Sequence, residues 1–303
     1  MPIQQMLLGG GPGEPAIGEV LYNTPGTYSW TAPANVSSVS VLVVSGGGGG
    51  GGGYRGSGGG GAGALAYKNN IPVSAGQSYT VVAGAKGDYG PYNNGAPGGD
   101  GGVSYFISTS TVYCTGGEGS NGAQQPYYCN SCPATPGGNN GQKVYGDGGG
   151  NGGEGGDGWG ITPGGGGGAG GYSGAGGDGG NAGSPGDAGS GGGGSGCAGG
   201  QSGRRGGQGG GVYVMGEGAS GAQSPVHGGG GHVYKGNNGS VAGTGSVPSA
   251  PNSPAGYTGN YGFGGGGSGT YADASDGGTG VVRIMWPGDE RQFPTTRTGY
   301  EQD

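Results

Sequence analysis

The residues of this chain best equipped for chemistry are four cysteines, Cys114, Cys129, Cys132 and Cys197, and two histidines, His227 and His232. Cys129-Asn130-Ser131-Cys132 is a single C-x-x-C. A zinc centre needs a second such pair or two histidines at ligand spacing, and His227 and His232 are remote in sequence. A thioredoxin-like dithiol needs a βαβ setting, which the flanking residues do not provide. The four cysteines are therefore expected to form disulfides, in a pairing the sequence leaves open, because a chain poor in core gains most from cross-links. Residues 152–160, GGEGGDGWG, fit one copy of the calcium-binding nonapeptide of β-rolls, but a β-roll needs tandem copies, and in so glycine-rich a background one copy reads as coincidence. Catalysis requires a nucleophile held by a base, or paired carboxylates. No spacing here supplies either, so the chain is expected to be neither an enzyme nor a holder of metal or cofactor.

The elements that would position any site are unusual. Glycine supplies 98 of 303 residues, apolar residues are 29% and charged residues 9%, against about half and a quarter in an ordinary soluble domain. Conventional α/β enzymes, helical bundles and nucleotide-binding folds need more side-chain core than this. Seventeen acids against ten bases give a net charge of −7, which disfavours nucleic acid. No apolar stretch is long enough to span a membrane. The opening residues, MPIQQMLL, lack the basic start of a signal peptide, so synthesis without classical export is expected, with release by lysis.

Strand signals are concentrated at the two ends. Val20-Leu21-Tyr22 and Tyr28-Ser29-Trp30-Thr31 flank a Pro25-Gly26 turn. SSVSVLVVS (37–45) is β-branched and partly alternating, with Val39, Val41 and Val43 on one side. Short strands are expected at 65–67, 79–83 and 103–107. VVRIMW (281–286) is a last strand that needs partners from the first 110 residues, because lone strands are unstable. The expected organisation is a β-rich anchoring and oligomerising module (1–110), a glycine-dominated region (111–280), and a closing strand with a C-terminal tail (281–303). So much glycine opposes helix.

The glycine spacing is the most informative pattern. Ten consecutive glycines, from Gly165 to Gly192, recur at period three, and shorter runs do so from Gly146 and from Gly47. Three residues per turn is the period of the left-handed extended helix, which rises about 3.1 Å per residue and has no internal hydrogen bonds. Its N–H and C=O groups need outside partners. Collagen would supply them, but it wants about 15–20% proline, and the ten triplets hold only Pro185. The remaining solution is a lattice of polyglycine-II helices, with glycine wherever backbones touch. Tyr172, Asp178, Asn181 and Asp187 are expected to face outward or into loops, with the run broken at places such as Ser184-Pro185 or Ser195-Gly196-Cys197. The fold class expected is an all-β module plus a polyglycine-II lattice, with essentially no α-helix.

Nineteen tyrosines stand out. Tyr89, Tyr92, Tyr127, Tyr128, Tyr257 and Tyr261 sit in loop-like contexts. Tyrosine offers large amphipathic contact at low entropic cost. These six are candidates for contact with a sugar or a protein surface; the equally simple reading is that they cap the lattice or pack subunits.

GTYSWTAP (26–33) followed by VSSVSVLVVSGGGGGGGG resembles the opening of the glycine-rich domain of phage tail-fibre and virion proteins. IPVSAGQSYTV (71–81) resembles its second signature and GGTGVVRIMWPG (277–288) its closing strand. The tail RQFPTTRT (291–298) is similar to endings of cyanobacterial phage virion proteins, and the central zone is similar in architecture to the polyglycine sandwich of T-even-type phage adhesins. The resemblance implies a homo-oligomeric virion component, a fibre, tip or surface-decoration subunit, whose partners are itself, other virion proteins and a host glycan or outer-membrane protein. The alternatives are a self-assembling extracellular filament subunit and an ice-binding polyglycine protein; the lack of regular threonine rows in the triplets weighs against the latter.

Overall fold

A computed structural model describes residues 6–8, 17–53, 56–91, 95–123, 134–200, 206–223, 262–269 and 274–295. Among these residues there are eleven strands and no α-helix. The strands are β1 (Met6–Leu8), β2 (Ile17–Tyr22), β3 (Gly26–Thr31), β4 (Ser38–Val44), β5 (Leu65–Pro72), β6 (Ser78–Ala83), β7 (Ser104–Phe106), β8 (Val112–Cys114), β9 (Lys143–Tyr145), β10 (Gly148–Gly150) and β11 (Val281–Trp286). They form two antiparallel sheets, in the orders β1-β2-β11-β4-β5-β10 and β3-β6-β7-β8-β9.

The closing strand β11 lies between β2 and β4, with Ile284 opposite both Val20 and Val41. The Pro25-Gly26 turn does not make a hairpin: β2 joins the first sheet and β3 the second. Turn residues set the local reversal of the chain, while β3 pairs along its whole length with β6, from Gly26 opposite Ala83 to Thr31 opposite Ser78.

Side chains from both sheets fill the space between them. Val39, Val41 and Val43 meet Val81, Phe106, Val112, Ile284 and Trp286 there, and the Trp30 ring lies 5.7 Å from that of Trp286. The opposite face of the first sheet is buried too. Leu42, Val44, Leu65 and Met285 pack against Tyr172, Val214, Phe263 and Phe293. Alternation in β4 therefore sorts residues between two cores, and every position from Ser38 to Val44 is buried.

Most of these strands continue into, or out of, a glycine segment. The two sheets stand about 10 Å apart when side chains fill the gap; glycine has nothing to fill it with, and backbones close on one another from all sides. The segment 46–53, which follows β4, shows the result. Gly46, Gly49 and Gly52 donate N–H bonds to Gly102, Gly99 and Ala96; Gly47 and Gly50 to Gly278 and Ser275; Gly48 and Gly51 to Gly61 and Gly58. The carbonyls of Gly46, Gly49 and Gly52 accept from Gly117, Ser120 and Ala123, those of Gly47 and Gly50 from Gly87 and Gly90, and that of Gly48 from Gly267. Three donor neighbours and three acceptor neighbours, each addressed at every third residue, are the signature of polyglycine-II packing. Residues 58–63 and 164–171 are enclosed in the same way. The lattice satisfies backbone groups that this extended helix cannot satisfy internally.

Glycine density follows enclosure. The longest glycine runs are the segments surrounded on all sides, while the segment 174–182 at the periphery tolerates Ala175, Asp178 and Asn181, all exposed. Where a serine enters the lattice its hydroxyl joins the ladder: Ser120 Oγ accepts from Gly51 N–H and donates to Gly58 O, and Ser57 Oγ donates to Gly51 O.

Two expectations about this region change. Tyr172 does not face outward; it is fully buried, with its hydroxyl donating to Tyr213 O at 3.2 Å and accepting from Gly216 N–H at 3.0 Å. Desolvation raises the Tyr172 phenol well above its ordinary range. The chain breaks at 183–185, where Gly183 has φ +76°, but not at 195–197: Cys197 donates to Gly166 O and accepts from Gly180.

Candidate functional site

Two exposed regions follow from the register. The first is the far end of the lattice, opposite the sheets. The parallel bridge of Gly53 with Ala123, the bond from Gly56 N–H to Gly160 O and that from Gly183 N–H to Gly200 O bring these segment ends to one level. There Trp159 and Thr162 exchange both backbone hydrogen bonds, at 2.8 and 2.9 Å, across a two-residue turn. Gly160 supplies the left-handed φ of +61° that the turn requires. The turn is tied down by the antiparallel bridge of Thr135 with Gly158. Its product is a rigidly mounted tryptophan that is 61% exposed, with Ile161 exposed beside it.

Tyr89 is the one candidate tyrosine among the described residues. It is exposed, and its backbone N–H is held at 2.9 Å by Asp276 Oδ1, a carboxylate that also pairs with Lys86. Tyr92, Tyr127, Tyr128, Tyr257 and Tyr261 lie outside the described residues, so the structure neither gathers nor separates them. Trp159 and Ile161 were not singled out by sequence reasoning. The signal available was the Trp-Gly-Ile-Thr turn inside the coincidental β-roll match.

The second region is the flank of the lattice. Neighbouring segments bring Asp88, Asp100, Glu118, Asn139, Glu154, Asp178 and Asp187 into one exposed row. The side chains of Asp100 and Asp178 stand in for the lattice neighbour that is missing on the outside. Asp100 Oδ1 accepts from Gly119 N–H, Asp178 Oδ1 from Glu154 N–H, and Asn139 Nδ2 donates to Glu118 Oε2. In the adjacent row Asp157 and Asn181 do the same for Gly137 and Asp157. Asp157, the aspartate of the β-roll match, thus serves the backbone. Among the described residues no group of acids, cysteines and histidines is arranged to hold a metal.

A family model for a glycine-rich domain matches residues 23–247. The chain belongs to this glycine-rich domain family. No curated protein matches it. The match begins between β2 and β3 and stops short of β11, so β1, β2 and β11, which complete the first sheet of this glycine-rich domain, come from outside the matched segment.

The disulfides expected of Cys114 and Cys197 are not formed; among the described residues there is no disulfide. Cys114 points from β8 into the core between the sheets, whereas Cys197 belongs to a lattice segment bonded to Gly166 and Gly180. Cys129 and Cys132 lie outside the described residues. The lattice satisfies by backbone pairing the need for cross-links that the composition suggested. Burial pushes the Cys114 thiol up to about 12, and thiols react as thiolates. Native protein treated with iodoacetamide at pH 8 is therefore expected to carry no label at Cys114 by peptide mass spectrometry, with labelling appearing only on denaturation.

Proposed function

We propose that this glycine-rich domain protein is a non-enzymatic phage virion component, a fibre, tip or surface-decoration subunit, with the sheets as its anchoring end and the far end of the lattice as its contact with a host surface. One observation supports this reading above the others: a stiff body of mutually bonded polyglycine helices ends, away from the sheets, in a tight turn presenting Trp159 and Ile161. A large aromatic on a rigid mount loses little entropy on contact. The partners of this reading are further copies of the chain, other virion proteins and a host glycan or outer-membrane protein.

A self-assembling filament subunit is the second reading. Strand β3 favours it: it ends its sheet and carries neither charge nor proline, the usual guards of an open edge.

Electron microscopy and mass photometry of the purified protein, with adsorption of labelled protein to host cells, test the two. The proposal expects particles of fixed mass that adsorb to cells, with adsorption falling about tenfold in Trp159→Ala at unchanged melting temperature. Filaments that lengthen with concentration, with no cell binding, would overturn it in favour of the second reading.

A further inference from the structure

The outward face of the second sheet has a composition that neither core nor lattice explains. Across its strands the register places Thr27 opposite Val82, Val82 opposite Tyr105, Tyr105 opposite Tyr113 and Tyr113 opposite Tyr145. Residues directly opposite on antiparallel strands share a face, so three tyrosines stand side by side in one transverse row. Their neighbours within the strands, Ser104, Phe106, Val112 and Cys114, are buried, which turns the tyrosines outward; Tyr145 is 49% exposed. The next rows hold Ser29 opposite Thr80 and Thr31 opposite Ser78. Thr31 and Ser78 share a hydroxyl bond of 2.8 Å. Every residue of these three rows except Val82 bears a hydroxyl, and none bears a charge.

We propose that this face is a binding surface for a neutral, extended polysaccharide. Tyrosine rings offer apolar faces for the C–H faces of pyranose rings, and their hydroxyls, with those of serine and threonine, can both donate and accept to sugar hydroxyls. Strands spaced about 4.8 Å apart set the rings at intervals close to the length of one pyranose in an extended chain. A polymer lying across these strands would meet the three rings in turn. An anionic polymer is disfavoured by the acids on the same side: the chain runs from Tyr105 back to Asp100 and from Tyr113 on to Glu118. The same acids disfavour a second copy stacked on this face, since two rows of carboxylates would be opposed. This surface is separate from the far end of the lattice, and its use does not depend on the assembly proposed above.

Affinity gel electrophoresis of the full chain in gels containing hydroxyethylcellulose, mannan, galactan or dextran tests it. At least one polymer is expected to retard the protein, and the affinity is expected to fall about tenfold or more in Tyr145→Ala and in the Tyr105→Ala/Tyr113→Ala double variant. Tyr105→Phe/Tyr113→Phe, which keeps the rings, is expected to retain most of it. Should the alanine double variant not fold, nitration by tetranitromethane reads the same contact in the unmodified chain, the polymer shielding Tyr105, Tyr113 and Tyr145. No retardation by any polymer, retardation unchanged in folded alanine variants, or binding of poly-L-lysine without binding of polysaccharide would each overturn the proposal.

Discussion

Gly50→Ala is expected to yield no folded protein, while Glu154→Ala on the lattice flank melts within a degree or two of the parent. Gly50 lies in the fully enclosed segment 46–53. A Cβ there would come far inside 3.0 Å of both the oxygen and the carbon of the Ser268 carbonyl. These are backbone atoms, so no side chain can swing aside. Moving the neighbouring segment would strain the bonds at Gly50, whose N–H donates to Ser275 and whose carbonyl accepts from Gly90. Overpacking an ordinary core costs about 1–3 kcal/mol because side chains and backbone share the adjustment. Here backbone alone must yield, and a loss of about 4 kcal/mol or more, a large part of the total stability of a domain, is expected. Glu154 is exposed and meets the lattice through its backbone, its N–H donating to Asp178 Oδ1 and its carbonyl accepting from Gly179, so truncation of its side chain should stay within about 0.5 kcal/mol. Thermal unfolding followed by circular dichroism separates the two, and a soluble Gly50→Ala with near-parental melting would refute the enclosure of this segment.

Glu19→Ala is the second large effect. Arg283 on β11 is 2% exposed and donates to Glu19 Oε2 at 2.8 Å and to Val214 O at 2.7 Å. Arg291, just beyond β11, donates to the same carboxylate oxygen at 3.0 Å and to Gly18 O at 2.6 Å. The guanidinium carbon of Arg283 lies 5.7 Å from the centre of the Phe293 ring. One carboxylate thus joins β2, β11 and the segment after it. Its removal leaves one fully buried and one largely buried guanidinium without a counter-charge, a loss of about 3–5 kcal/mol by the usual cost of breaking a buried pair. Glu19→Gln keeps the shape and one acceptor oxygen and should lose less.

The same network sets an acid limit on stability. Burial alone would raise the Glu19 carboxyl, but Arg283 and Arg291 outweigh it and hold it below its ordinary value of 4.5. A carboxyl with a depressed native pKa adds stability that is complete above its unfolded value and is lost as the pH falls through the native one. The parent protein is therefore expected to lose this contribution below pH 4.5. Glu19→Gln, measured by the same melts, should show a flatter acid limb, and identical acid limbs would exclude Glu19 as a source.

Much of this architecture was legible in the residues because its causes are local. Period-three glycine implies an extended helix whose backbone must be paired from outside, and low proline removes collagen as the partner. The alternation of β4 and the apolar run of β11 likewise announce strands. What residue spacing could not carry is which segments become neighbours. Val39 and Leu42 look alike in sequence, yet one enters the core between the sheets and the other the core behind them. Tyr172 looks like any tyrosine after a glycine run, and it is buried only because β5, 212–214 and Phe293 close around it.

The outward tyrosine row makes the division clearest. Tyr105, Tyr113 and Tyr145 come from three separate strands, and only strand register aligns them. Trp159 likewise owes its exposure to where its turn falls in the lattice. Glycine, proline and β-branched residues act on their own backbone, so the conformations open to each segment can be read along the chain. Neighbours, burial and surfaces depend on hydrogen bonds and packing between segments far apart in the chain, so they emerge only in the folded molecule.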